Sequence, residues 1–364
     1  MPPETSAGRG VPPIGSIARR TRPDGPVHVM SLKRPDGYRS ELDFVPLEEA
    51  TREASLVTAK VAYAVSDYLK GRQVPSLEER KSEITAMDNV AADVLRTRLR
   101  QTKDFTWDSV AGEGVWDGAK TVVGKFGRGR RQVTMINDPV ENSGAAIGRQ
   151  EGAIVVMAGS TPGGLWTPPE GVEYLDKFVG PAEVKGKISL DMGIEDRLDV
   201  LRDVFNVRPD EIDVIALWRP RHEEMVRRIR RYGAQYVPIG AGDLAAGIAA
   251  AAMTNPDNPT ILNGIGGAEE GVITAAAAEV LGGEAIMKVW SQEHPELMER
   301  YPEQLGLNKL VPGNRDHTFV NFTAITYEPM LGVQGVMDSD NGHAPRSTAT
   351  ITTRGIQLST AQRV

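Results

Sequence analysis

From Ile212 to Gly283 the chain repeats one pattern, a short apolar run and then a helical stretch, with glycine ending two of the three helices. Ile212 to Leu217 reads as a strand, His222 to Tyr232 as a helix ended by Gly233, and Gln235 to Ile239 as the next strand. Asp243 caps a helix to Met253, Thr260 to Leu262 is again strand, and Ala268 to Leu281 is a helix closed by Gly282 and Gly283. A carboxylate is a good helix cap, and glycine supplies the left-handed residue that ends a helix. A β-α-β-α-β-α rhythm of this kind implies a sheet covered by helices on both faces.

The preceding residues follow a different pattern. Residues 1–40 are rich in Pro, Gly and Arg and lack periodicity, so they read as a disordered basic arm outside the fold. Pro46 to Leu69 is helical, with Leu47, Ala50, Ala54, Val57, Val61 and Val65 near one face and Gly71 beyond its end. A loop with Pro75 and a second helix from Glu79 to Arg100 follow. Val133 to Ile136 and Ala153 to Ala158 read as paired buried strands, Gly159 to Gly171 as a loop, Tyr174 to Val179 as strand, and Thr348 to Thr353 as a closing strand. The expected organisation is the arm, an α+β half over 41–180 and an α/β half over 181–364, together one fold.

Composition narrows the function classes. The net charge is −7 and no basic stripe is interleaved with aromatics, which argues against a nucleic-acid partner. No apolar run is long enough to span a membrane, and there is no hydrophobic signal core near the N-terminus, so a cytoplasmic protein is expected. Cysteine is absent, which rules out disulfides, a thiolate nucleophile and a Cys-based metal site. There is no Gly-x-x-x-x-Gly-Lys-Ser/Thr loop and no Gly-x-Ser-x-Gly elbow.

The chemistry concentrates at Asp138-Pro139-Val140-Glu141-Asn142-Ser143, directly after a strand-like run. Two carboxylates three apart, stiffened by proline, are either solvated acids of a surface turn or oxygen ligands for a hard divalent cation such as Mg²⁺ or Mn²⁺. Burying them between two apolar runs without a counter-ion would be costly, which favours the cation. A hydroxyl two residues past the second carboxylate can orient an attacking water. Gly112-Glu113-Gly114, with Asp117 behind it, is either a flexible acidic loop or a second contributor. Gly264-Ile265-Gly266-Gly267-Ala268-Glu269-Glu270-Gly271 opens a helix but puts acids where a dinucleotide phosphate would sit. Those acids either complement the helix dipole or face a metal. Trp218-Arg219-Pro220-Arg221-His222 is either a solvated charged turn or a phosphate clamp.

Together these blocks resemble the bacterial class II fructose-1,6-bisphosphatases, of the lithium-sensitive, metal-dependent sugar phosphatases that include inositol monophosphatase. The resemblance runs from about Ser40 to Val364 and also rests on Tyr174 with Lys177, Val179-Gly180-Pro181, Gly242-Asp243 and Thr323-Ala324-Ile325-Thr326. It implies a layered α-β-α-β-α sandwich, hydrolysis of a sugar bisphosphate with Mg²⁺ or Mn²⁺, and a homo-oligomer. By the resemblance, Glu113, Asp138, Glu141 and Glu270 match metal ligands, and Glu83 stands near a further one. Ser143 matches the family threonine that orients the water, with Asp88 or Glu83 behind it. Asn142, Tyr174, Arg219, Arg221, His222 and Asp243 match positions that hold the sugar and its phosphates.

The departures lie on the sugar side. Val115 replaces a family acid, Asn142 a family glycine and Ala241 one of two aspartates beside Gly242, and Glu83-Ile84-Thr85-Ala86-Met87-Asp88 keeps only acids of Asp-Lys-Asn-x-x-Asp. The expectation is retained phosphatase chemistry with a possible change of sugar, set against a housekeeping fructose or sedoheptulose bisphosphatase and a non-catalytic sugar-phosphate-binding protein.

Overall fold

The computed structural model describes residues 44–70, 76–112, 120–252, 255–313, 315–336, 346–353 and 355–359. The expected arm, Gly71, Pro75, Glu113, Val115, Asp117 and Met253 lie outside them.

Two long helices, α1 (Phe44–Lys70) and α2 (Leu77–Gln101), form an antiparallel pair; a capping box of Ser76 and Glu79 begins α2. The strands β1 (Phe105–Gly112), β2 (Gly124–Gly127), β3 (Arg131–Glu141) and β4 (Ile154–Ser160), with β11 (Phe319–Ala324), β12 (Thr348–Thr352) and β13 (Gly355–Ser359), make one sheet in the order β13-β12-β11-β4-β3-β1-β2. A short helix, α3 (Ser143–Gly148), follows β3. The second sheet contains β5 (Tyr174–Gly180), β6 (Asp213–Leu217), β7 (Gln235–Ile239), β8 (Thr260–Gly267), β9 (Glu284–Trp290) and β10 (Leu305–Gly306), ordered β10-β9-β5-β8-β6-β7.

The helices sort into three layers. Helices α1, α2 and α3 cover the outer face of the first sheet. On the outer face of the second sheet, α4 (Ile194–Phe205) and α5 (Glu223–Tyr232) pack on Val214, Ile261 and Phe178. Between the sheets lie α6 (Asp243–Ala251) and α7 (Ala268–Leu281), with alanine at 275, 276, 277 and 278, all fully buried. Small side chains all round suit a helix that touches a sheet on each side. The result is an α-β-α-β-α sandwich.

The β-α-β alternation of the sequence is present, but the sheet is mixed. Strand β6 runs parallel to β7 and β8, whereas β5 is antiparallel to both β8 and β9. The sheets also cross position 180: β5 precedes it yet belongs to the second sheet, and β11 to β13 return to the first. Strand β8 continues five residues past Leu262 through its glycines, paired throughout with β5.

Candidate metal centre and active site

Strand β3 carries its acids on one side by means of a bulge. In a regular strand, residues three apart point to opposite faces. Here Asp138 pairs with Val156 and Glu141 with Ile154, so three steps on β3 match two on β4. The extra residue falls at Pro139-Val140, where proline has no N–H for the ladder. Both carboxylates therefore turn to the same side. Asp138 and Glu141 are buried, and their oxygens lie within 4.8 Å of each other and of Glu270. The N–H of Val140 donates to Asp138 Oδ1 at 2.9 Å, fixing that carboxylate.

Glu270 arrives from the first turn of α7, Asp243 from the first residue of α6. Both helix N-termini thus face the acids, and their exposed N–H groups favour negative charge there. The glycines of β8 make the fit possible. A Cβ on Gly267 would sit 1.8 Å from Glu270 Oε2, and one on Gly266 would sit 2.0 Å from Asp243 Oδ2. The glycine-rich run thus gives room to carboxylates.

Charge is crowded here. Glu141 is pushed up to about 8, first by burial and then by the Glu270 carboxylate. Glu270 is raised too, first by burial, with Asp243 adding to it and Lys177 opposing. Carboxylates so held are ready to exchange protons for a cation. Glu83, on α2, has a buried Oε2 with no hydrogen-bond partner among the described residues, and it is not part of the three-carboxylate cluster. An all-oxygen donor set of this kind fits a hard divalent ion.

Ser143 begins α3 beside the acids. Its Oγ lies within donating distance of Asp88 Oδ1 at 2.6 Å and Val140 O at 2.8 Å. Asp88, rather than Glu83, is therefore the carboxylate behind this hydroxyl. Asn142 occupies the left-handed region (φ 62°), which asparagine tolerates better than most residues, and its amide donates to Gly152 O at 3.3 Å. The side chain thus points to the backbone of Gly152, ahead of β4, and lies near Gly242.

The sugar-side residues divide. Tyr174 is partly exposed and edge-on to Trp290, and the Arg221 guanidinium stands 5.2 Å from the Tyr174 ring. Arg219 is half-buried and donates to Trp218 O at 3.0 Å. Arg221 also donates to Ile265 O at 2.9 Å. His222 has another task. It is buried, its Nδ1 meets Leu217 O at 2.7 Å, and its Nε2 accepts from the Ile265 N–H at 2.8 Å. Both ring nitrogens are spent on backbone, so this neutral imidazole ties the end of β6 to β8 and does not reach a phosphate. Asp243 is committed to Lys177, whose Nζ lies 2.9 Å away. Lys177 received no role from sequence, although a lone lysine between Leu175 and the apolar pair Phe178-Val179 was a visible signal.

A family model described as "Bacterial fructose-1,6-bisphosphatase, glpX-encoded" matches residues 77–357. The fold and the acid cluster define a layered α/β protein of the sugar-phosphatase type. The chain belongs to the glpX-encoded bacterial fructose-1,6-bisphosphatase family. A protein of Synechococcus sp. (strain CC9902) named "D-fructose 1,6-bisphosphatase class 2/sedoheptulose 1,7-bisphosphatase" is 34% identical over 199 residues, covering 54% of this chain and 58% of that protein. One of the same name from Prochlorococcus marinus (strain MIT 9301) is 36% identical over 197 residues, covering 53% and 58%. Another, from Synechococcus elongatus, is 32% identical over 218 residues, covering 56% and 62%. The chain thus spans less than two thirds of the length of the curated relatives it matches. Among the described residues no helix is long and apolar enough to cross a membrane.

Proposed function

We propose that this chain is a phosphatase that needs Mg²⁺ or Mn²⁺ and hydrolyses a phosphate ester of a sugar bisphosphate. The observation that carries the reading is the convergence of Asp138, Glu141 and Glu270 within 4.8 Å, beside a hydroxyl held by Asp88. When bound, divalent cations would polarise the phosphoryl oxygens and offset the charge of the carboxylates. Asp138, Glu141 and Glu270 would hold them, with Glu113 and Glu83 as further ligands. Asp88 engages the Ser143 proton, which leaves the Ser143 lone pairs to accept a hydrogen bond from the attacking water. The α6 and α7 N-termini favour the anionic phosphate. Arg219 and Arg221 grip the second phosphate, Tyr174 lines the path between, and Asp243 meets a sugar hydroxyl.

The names of the relatives favour fructose 1,6-bisphosphate or sedoheptulose 1,7-bisphosphate as substrate. Asn142, Ala241 and Val115, where the family carries other residues, favour a different sugar in a biosynthetic pathway. Phosphate release from a panel of sugar mono- and bisphosphates, with Mg²⁺ and with Mn²⁺, tests both. Turnover of the two named bisphosphates alone supports the housekeeping reading, and turnover of another sugar phosphate supports the altered one. Tight binding of sugar phosphates with no release under either metal would overturn the phosphatase reading in favour of a binding protein.

A further inference from the structure

Among the described residues, one buried lysine stands at the acid cluster. Lys177 is 0% exposed, in the middle of β5, and its Nζ lies 2.9 Å from Asp243 Oδ2. Gly266 and Gly271 leave room for it: a Cβ at 266 would meet Nζ at 2.8 Å, and one at 271 would meet Lys177 Cε at 3.3 Å. Its charge also bears on Glu141, Glu269 and Glu270, opposing their mutual repulsion. One ammonium thus faces carboxylates from β3, α6 and α7 at once.

We infer that Lys177 is a resident counter-cation of this site: it holds Asp243 at the end of β8, keeps the carboxylates together before any metal arrives, and weakens the affinity for divalent ions. The inference rests on the reading of these acids as a cation site. A fixed positive charge a few ångströms from a metal position repels the ion in a poorly solvated site. Without that charge the acids bind a divalent ion more tightly, and the metal-free protein loses its internal neutralisation. Lys177 is a positioning residue, acting through Asp243 and through charge.

The test is calorimetric titration of metal-stripped, full-chain protein with Mn²⁺, with the melting temperature recorded in chelator and in saturating Mn²⁺. Two variants separate charge from packing. Lys177→Met removes the ammonium at similar volume, and Lys177→Gln retains a donor to Asp243 without the charge. Both are expected to bind Mn²⁺ at least about tenfold more tightly than the unaltered protein. Both are expected to melt lower in chelator and to show a larger rise with Mn²⁺. If Lys177→Met does not fold, Lys177→Gln alone decides. Mn²⁺ affinity equal to or weaker than that of the unaltered protein overturns the role of Lys177. Absence of Mn²⁺ binding by the unaltered protein is a separate result: it removes the cation reading itself.

Discussion

Asp138 is fixed by Val140 N–H and enclosed by β4, so replacing its carboxylate with an amide keeps shape and hydrogen bond while removing charge. Asp138→Asn is expected to stay folded, with an unchanged far-UV circular dichroism spectrum, and to lose about a thousandfold in turnover, the equivalent of several kcal/mol of charge stabilisation. Gly267→Ala tests the same centre from the backbone. Gly267 has φ −56°, so alanine brings no strain, but its Cβ would take the place of Glu270 Oε2. The expected result is a weakened Mn²⁺ affinity with little change in fold; a variant that binds Mn²⁺ normally would show that Glu270 is not a ligand. Both acids of β3 were visible in the sequence because a carboxylate between apolar runs needs a reason. The role of His222 was not. Its pairing with Leu217 and Ile265 depends on β8 lying beside β6, a contact more than 40 residues away.

Among the elements, α1 shows where periodicity misleads. The sequence offered Leu47, Ala50, Ala54, Val57, Val61 and Val65 as its inner face, but only Leu47 and Ala54 of these are fully buried. The inner stripe includes Thr51, Ser55, Thr58 and Ser66 as well. These hydroxyls are satisfied locally or across to the sheet: Thr58 donates to Ala54 O at 2.8 Å, and Ser55 Oγ meets Asn321 Oδ1 and Thr323 Oγ1, each at 2.7 Å. Ser55→Ala leaves those buried groups short of a partner and is expected to destabilise the protein by about 1–3 kcal/mol, read as the shift in a urea-unfolding midpoint. No hydropathy pattern could show this stripe, because Thr51, Thr58 and Ser66 are satisfied by carbonyls of α1 itself and Ser55 by β11. The helices α5 and α7 were legible to within a residue, since Gly233 and Gly282 end them with φ of 101° and 86°. Strand β8 runs five residues beyond the expected Thr260 to Leu262, because pairing with β5 and the carboxylates filling the absent Cβ positions offset the weakness of glycine in a strand.

For the molecule as a whole, the site between the two sheets sets how stability responds to pH. Burial raises Glu141 to about 8, and it raises Glu269 and Glu328 to about 7. Each folded-state value lies above the ordinary carboxylate value, so the folded form holds protons that the unfolded chain has released. The associated stability is present in full below about pH 4.5 and is lost as pH rises through 7 and 8. Metal-free protein is therefore expected to melt progressively lower between about pH 5 and pH 8 in chelator, and saturating Mn²⁺ to flatten or reverse that slope. A metal-free melting temperature that rises over this range would contradict the charge assignment. The sandwich itself was implied by the family resemblance; the alternation of Ile212 to Gly283 showed only its second half. The return of β11 to β13 to the first sheet joins residues too distant for any local pattern to announce.

A crystal of the full chain soaked in Mn²⁺, with anomalous data collected at the manganese absorption edge, addresses the site directly. The expected result is an anomalous peak bonded to oxygens of Asp138, Glu141 and Glu270. No peak among these three carboxylates, with manganese bound elsewhere or nowhere, would contradict it.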